Sequence, residues 1–311
     1  MESGHASRTS KGFGIAIHSL SFPSKPSPHL PQSHPNAFVG SNLQPARDKV
    51  RTLLNSVQTN TAKQPPETPP PLRVHIGTAG WSIPRQEAAR VPGEGSHLHR
   101  YSAAFTCTEI NSTFYRPHRA STYTRWAAST PEDFRFSVKV PRSITHETAL
   151  RPAREQLQDF VDQIGHLGSK LGPILLQLPP RQSFDEPVAR DFLSLFRDIF
   201  PSGSAALEPR HSSWFSPDAE KLLTDLCISR VIADPPITAE AHHVADDRGL
   251  TYYRLHGSPR VYYSSYSNAS LQEIAEAIFQ QKPREAWCIF DNTASGAALG
   301  NALGLAQILP R

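Results

Sequence analysis

The sequence predicts an α/β protein: a (β/α)8 TIM barrel preceded by a disordered, Pro/Ser-rich N-terminal tail. Three observations carry this. From Leu72 onward, short apolar strands alternate with helical segments eight times. The eight units occupy residues 72–311, close to the ~250 residues usual for such a barrel. The turn after the first strand, Gly77-Thr-Ala-Gly80-Trp81, lacks the G-x-G-x-x-G spacing that an open dinucleotide-binding sheet would place there.

The tail comprises residues 1–71 and holds 11 of the 29 prolines. It has no sustained apolar periodicity, so it cannot bury enough apolar surface to offset the entropy of ordering. A short helix near Pro45–Val57 is its one candidate element. The tail carries seven Lys/Arg against three Asp/Glu, whereas residues 72–311 carry 25 of each. The whole formal excess of +4 therefore sits in the tail, and the barrel's net charge gives no support to nucleic-acid binding. Gly12–Phe22 is a weak signal-like run with no small-residue cleavage site after it, so the expected location is cytoplasmic. Organelle targeting by this acid-poor start stays open. No run of eighteen apolar residues exists, which predicts no membrane span. Three unclustered cysteines, Cys107, Cys227 and Cys288, predict neither a disulfide framework nor a four-cysteine zinc site. Each falls within or beside an apolar run and reads as core.

The elements follow in order. Strands are expected at Val74–Gly80, Cys107–Tyr115, Arg135–Pro141, Pro173–Pro179, Ala205–Arg210, Arg230–Asp234, Tyr252–Gly257 and Trp287–Asn292. Short helices are expected at 120–128 and 217–226. Arg154–Leu171 is the clearest helix, with Leu157, Phe160, Val161, Ile164 and Leu167 spaced by three and four. Val188–Phe200 and Leu271–Phe279 repeat that spacing, and a last helix runs over Ala297–Ile308. The link Pro235–Gly249 is polar.

In a barrel the strand face against the helices is apolar, so alternation identifies what points inward. Strand two then turns Glu109, Asn111, Thr113 and Tyr115 inward, strand three Lys139, and strand four Gln177. Strand five contributes Glu208 and Arg210, strand six Asp234, strand seven Arg254 and His256, and strand eight Asn292. Seven strands thus deliver polar groups near their C-terminal ends, where barrel active sites are built. Glu109, Lys139, Glu208, Asp234 and His256 are the catalytic candidates. Asn111, Tyr115, Gln177, Arg210, Trp214, Arg254 and Asn292 are the substrate-binding candidates. The rival reading is a closed salt-bridge network, in which three carboxylates (Glu109, Glu208, Asp234) meet three cations (Lys139, Arg210, Arg254). Such a network contributes little net stability, which favours a functional pocket.

The same balance argues against a multi-metal site, and no cofactor is predicted; one weakly held divalent ion is not excluded. No H-E-x-x-H, EF-hand loop, C-x-x-C pair, Walker loop or G-x-S-x-G elbow occurs. His242-His243 reads as a solvated pair in a polar loop. Trp81, Tyr115, Trp214, Tyr262, Tyr263 and Tyr266 lie near the mouth, and Ser258–Ser267 is a candidate lid.

These residues fall in strings that resemble one family. Ile76-Gly-Thr-Ala-Gly-Trp81, Glu109-Ile-Asn-Ser-Thr-Phe-Tyr115, Ser137-Val-Lys-Val-Pro141 with Thr145-His146, Leu176-Gln-Leu-Pro179, Glu208-Pro-Arg-His-Ser-Ser-Trp214, Arg254-Leu-His-Gly257 and Asp291-Asn-Thr293 are similar to the YecE-like family, also called domain of unknown function 72. The resemblance covers about 72–309. It implies a TIM barrel and no established reaction. It adds His146 to the binding candidates. It also implies paired asparagines on the last strand, where Asp291 stands in the first position, and a longer segment after Trp81 than is present here.

The functional expectation is an enzyme, a hydrolase or isomerase, performing acid/base chemistry on a polar, anionic or sugar-containing small molecule. A nucleic-acid-binding or phosphodiester-processing protein and a non-catalytic ligand-binding barrel are the alternatives. The sequence leaves oligomeric state open.

Overall fold

The computed structural model describes residues 72–239, 249–281 and 283–309. The tail with its candidate helix, the His242-His243 pair and most of the polar link lie outside the described residues.

Nine parallel strand segments are β1 (Arg73–Thr78), β2 (Cys107–Ile110), β3 (Arg135–Lys139), β4 (Leu171–Gln177), β5 (Ala205–Glu208), β6 (Ser229–Arg230), β7 (Ile232–Asp234), β8 (Leu250–Leu255) and β9 (Glu285–Phe290). They form two sheets, β2-β3-β4-β5-β6 and β1-β9-β8-β7. One seam between the sheets is the parallel bridge of Ala79 with Glu109, where the Gly80 amide donates to the Glu109 carbonyl at 2.8 Å. The other is the sixth strand itself, which breaks at Val231. Its first half pairs with β5 and its second with β8. Every strand therefore bonds a neighbour on each side in chain order, the connectivity of an eight-stranded barrel.

The helices are α1 (His97–Ala104), α2 (Ala120–Ala128), α3 (Arg142–Thr145), α4 (Arg154–Gly165), α5 (Glu186–Ile199), α6 (Pro217–Asp225), α7 (Asn268–Gln281) and α8 (Ala297–Ile308). Their starts are chemically marked. Ser96 accepts from the His99 amide, Asp185 from Val188 and Ser216 from Ala219, each satisfying an otherwise orphaned N–H. Pro217 opens α6, where its missing donor costs nothing. α5 turns Ala189, Phe192, Leu193 and Phe196 to the core. α4 ends at Gly165 rather than running to Leu171, and the chain turns through Gly168–Lys170 into β4.

Two apolar layers result. Outside the strands, Ile110, Val138, Ile174, Leu207 and Phe290 meet the helices. Inside, Cys107, Leu175, Ala206, Val231, Leu250, Tyr252, Trp287 and Ile289 fill the barrel floor. Gly172 leaves room for Trp287: a Cβ there would stand 2.6 Å from the indole. Above this floor Glu109, Lys139, Gln177, Glu208, Arg254 and Asp291 face inward beside the small Ala79 and Ala233.

Two expectations fail here. β2 stops at Ile110, because Asn111 takes a helical turn (φ −87°, ψ −18°) and Thr113 Oγ1 donates to the carbonyls of Ile110 (2.9 Å) and Lys139 (2.6 Å). Thr113 ties two strand ends together, and Tyr115 swings out to 71% exposure instead of pointing inward. Cys227 is exposed at φ +55° after α6, and only Cys107 and Cys288 are core.

Candidate active site

The polar layer centres on Arg254, in β8. Its Nε donates to Glu109 Oε2 at 3.0 Å and its Nη2 to Glu109 Oε1 at 2.8 Å. Nη1 donates to Glu208 Oε2 at 2.7 Å, and Nη2 also reaches Asp291 Oδ2 at 3.0 Å. Glu208, at the end of β5, is equally saturated. Its Oε2 accepts from Gln177 Nε2 at 2.9 Å, and its Oε1 lies 2.7 Å from Arg210 Nη2 and 2.8 Å from His256 Nε2. His256 Nδ1 is 3.1 Å from Asp291 Oδ2. Tyr252 donates to Glu109 Oε2 at 3.1 Å and pairs with Ser137 at 2.8 Å, closing the floor of the network.

Electrostatics follow from these partners. Burial pushes the Glu208 and Asp291 carboxyls up, but Arg254 outweighs it, together with Arg210 and His256 at Glu208 and with His256 and Lys139 at Asp291; both end below the usual carboxylate range. Burial would lower the His256 pKa, but the carboxylates on its two ring nitrogens reverse this and raise it. A carboxylate oxygen on each ring nitrogen favours the doubly protonated ring. The 3.0 Å approach of Arg210 Nη2 to His256 Nε2 is between two donors that share Glu208 Oε1.

Three carboxylates, Glu109, Glu208 and Asp291, therefore meet three cations, Arg254, Arg210 and His256. Asp291 and His256 stand where strand alternation places Asp234 and Lys139. Lys139 is not part of this balance. It ends β3 and is 6% exposed, and its Nζ makes no hydrogen bond or ion pair among the described residues. Its Nζ sits 4.0 Å above the Phe114 ring. Burial, then repulsion by Arg254, lowers its pKa to about 8 against partial compensation from Glu109, Glu208 and Asp291.

Of the sequence-derived candidates, Glu109, Gln177, Glu208, Arg210, Arg254 and His256 come together, with Lys139 beside them. His146 is adjacent: its ring meets Phe114 edge-on at 4.8 Å and bonds Thr145 Oγ1 at 2.9 Å. Burial and the Lys139 charge lower its pKa to about 4. Asn111 stands at the rim with a buried Oδ1 that has no partner, and Arg210 Nε is likewise unpaired.

Three candidates are elsewhere. Asp234 lies on the outward phase of β7 and accepts from Tyr266 Oη at 2.6 Å. Asn292 lies on the outward phase of the last strand, donating to the Ser264 carbonyl at 2.9 Å and to Asn301 Oδ1 at 2.8 Å. Both fasten the segment after β8, which also receives Tyr266 Oη on the Gly257 amide at 2.9 Å. The segment expected to be a lid is thus bonded down at both ends. Trp214 is fully buried, its indole donating to the Gln182 carbonyl at 3.0 Å and packing edge-on to Phe184, so it braces loops and offers no surface to a substrate. Asp291 is the site residue the alternation missed, as are Tyr252 against Glu109 and Phe114 beneath Lys139.

Cavities of about 540 and 590 Å³ open at the N-terminal end of the strands, where Arg73, Arg135 and Glu285 lie. A smaller one of about 250 Å³, lined by Thr78, Gly80, Ser82, Thr293 and Gly296, opens at the same end as the network. The ionic network lies at the latter end. Among the described residues no three His, Cys, Asp or Glu side chains are grouped to hold a metal ion. The carboxylates that come closest to it are occupied by guanidinium.

Fold and site together define a parallel α/β protein of barrel connectivity with an ionic network at the C-terminal ends of its strands. The chain belongs to the DUF72 family, whose model, described as a protein of unknown function, matches residues 75–311. It is 30% identical over 180 residues to the UPF0759 protein YecE of Escherichia coli K12, covering 55% of this chain and 62% of YecE. The chain thus matches less than two thirds of that relative's length. It is 26% identical over 272 residues to the UPF0759 protein YunF of Bacillus subtilis 168, covering 76% of this chain and 94% of YunF. Among solved structures, a DUF72 family protein of Thermotoga maritima MSB8 superposes with TM-score 0.64 at 26% identity, covering 76% of this chain and 98% of the other. One of Enterococcus faecalis V583 superposes with TM-score 0.65 at 20% identity, covering 76% and 95%, and supports the fold alone. No described helix is long and apolar enough to cross a membrane.

Proposed function

We propose that the protein is an enzyme that performs acid/base chemistry on a small polar or anionic molecule held at the C-terminal mouth. One observation carries this. Lys139 is a buried amine without an ionic partner among the described residues, above the Phe114 face and next to three carboxylates that already face Arg254, Arg210 and His256. A purely structural network has no use for a fourth cation, whose desolvation costs stability. An amine that exchanges its proton near neutral pH is suited to general acid/base work. In this reading Lys139 moves the proton, and His256, between Glu208 and Asp291, stores a second one. Glu109 orients Arg254, Gln177 orients Glu208, and Arg210 with Asn111 contacts the substrate at the rim. Tyr115 and His146 flank the entrance. Asp234, Asn292 and Trp214 keep supporting roles. The reading calls for no cofactor.

The test is depletion of a metabolite mixture, followed by mass spectrometry, with the wild type and a Lys139→Met variant. The expected result is a small anionic or hydroxylated compound consumed only by the wild type. If both proteins consume the same compounds at the same rate, or neither consumes any, the reading fails.

A further inference from the structure

We propose that Lys139 acts as a nucleophile that forms an imine with an aldehyde or ketone carrying an anionic group. This rests on the pocket reading above and names the substrate class of that site.

The amine that exchanges a proton in that reading is also placed to attack a carbonyl. The three carboxylates of the polar layer are engaged by Arg254, Arg210 and His256 and are not free to attack a carbonyl. The lysine instead ends β3 with its Nζ against the Phe114 face, where no proton acceptor holds it, and its charge is opposed by Arg254. A desolvated lysine near another cation is the usual arrangement for attack on a carbonyl. With a pKa of about 8, about a tenth of the amine is neutral at pH 7, against well under a thousandth for an ordinary lysine. The groups acting on it are Arg254, Glu109, Glu208 and Asp291; His146 faces it across Phe114. Arg210, whose side chain is 19% exposed and whose Nε is unpaired, offers the rim a cation for a carboxylate or phosphate.

The step balances without a further reactant. The nitrogen lone pair forms a C–N bond to the carbonyl carbon, the C=O π pair moves to oxygen, and one N–H proton passes to that oxygen. The resulting carbinolamine hydroxyl takes the second N–H proton and leaves as water while the nitrogen pair closes the C=N bond. One water leaves, and nothing is oxidised or reduced.

The experiment is trapping on the full chain. The protein is incubated near pH 7 with glyoxylate or pyruvate and sodium cyanoborohydride, and labelled peptides are quantified. Lys221, 72% exposed and paired with Asp225, is the internal standard. The expected result is alkylation of Lys139 at least about tenfold faster than of Lys221, as its larger neutral fraction requires, and its loss in a Lys139→Arg variant of unchanged circular dichroism. Labelling of Lys139 no faster than Lys221 overturns the proposal. Glycolate and lactate, which lack the carbonyl, separate the two claims. If they raise the Tm of the wild type but not of Lys139→Arg while no adduct forms, the imine is refuted and the pocket stands. If they do nothing and no adduct forms, both fall.

Discussion

Arg254 and Glu109 grip each other through two near-parallel hydrogen bonds of 2.8 and 3.0 Å, from strands β8 and β2 that are not neighbours in either sheet. The pair therefore reaches between the two sheets rather than along one ladder. Both side chains have zero exposure, so neither charge has water to fall back on. Replacing Arg254 by Met leaves three carboxylates, Glu109, Glu208 and Asp291, short of their main partner. Breaking a buried pair from one side costs about 3–5 kcal/mol. Urea denaturation is expected to show a loss of that order, and a loss below ~1 kcal/mol would mean that the network is not a structural unit. Arg254→Lys is expected to recover little, because an ammonium cannot supply the fork.

Lys139 has the opposite sign. Its folded pKa, about 8, lies below the ordinary lysine value, so the unfolded chain binds more protons between the two. Stability contributed by this group therefore rises with pH from about 8 to about 10.5 and is at its worst below 8. Lys139→Met removes the penalty. The variant is expected to be more stable than the wild type at neutral pH, by up to roughly 3 kcal/mol from the linkage relation. The gain is expected to vanish at the alkaline end. A destabilised Lys139→Met at pH 7 would mean that the amine has a partner in the network after all.

Much of this site was legible beforehand, because inward positions above an apolar floor read as polar residues in an apolar alternation. Glu109, Lys139, Gln177 and Glu208 sit on strands whose outer face carries Ile110, Val138, Ile174 and Leu207, and Arg254 lies between the outward Tyr253 and Leu255. The failures occur where that contrast is missing. The last strand is apolar on both faces, with Trp287 and Ile289 inside and Cys288 and Phe290 outside. Its phase could not be read, and Asn292 took the place of Asp291. The sixth strand breaks at Val231 to serve two sheets, leaving too few residues for a period, so Asp234 was turned inward. Tyr115 was misplaced because a hydroxyl, Thr113 Oγ1, caps two strand ends, a tertiary contact that no local pattern announces.

Asp234 supplies a control. If its role is to hold Tyr266 at 2.6 Å, then Asp234→Asn weakens the segment after β8 and leaves Lys139 untouched. A loss of about 1–2 kcal/mol is expected, the usual effect of impairing a partly buried hydrogen bond to a charged group. Hydrogen exchange at the Gly257 amide, which Tyr266 Oη caps, is expected to accelerate. Trapping at Lys139 is expected to proceed at the wild-type rate. A collapse of trapping without a loss of stability would return Asp234 to the catalytic set.

His256 makes the pH argument from the acidic side. Its folded pKa is raised, so the folded protein binds more protons than the unfolded chain as pH climbs past the ordinary imidazole value. The stabilisation is fully present below that value and is lost as pH rises through the folded pKa. His256→Asn, which cannot be protonated, is expected to cost most near pH 5 and progressively less above neutrality. Imidazole carbon shifts measured by NMR are expected to show the doubly protonated ring at pH 7, with Glu208 and Asp291 each accepting one N–H. Observation of a neutral ring at that pH would break the three-to-three balance, leave a carboxylate uncompensated, and make Lys139 its counter-ion. That would remove the reason for assigning the lysine a chemical role.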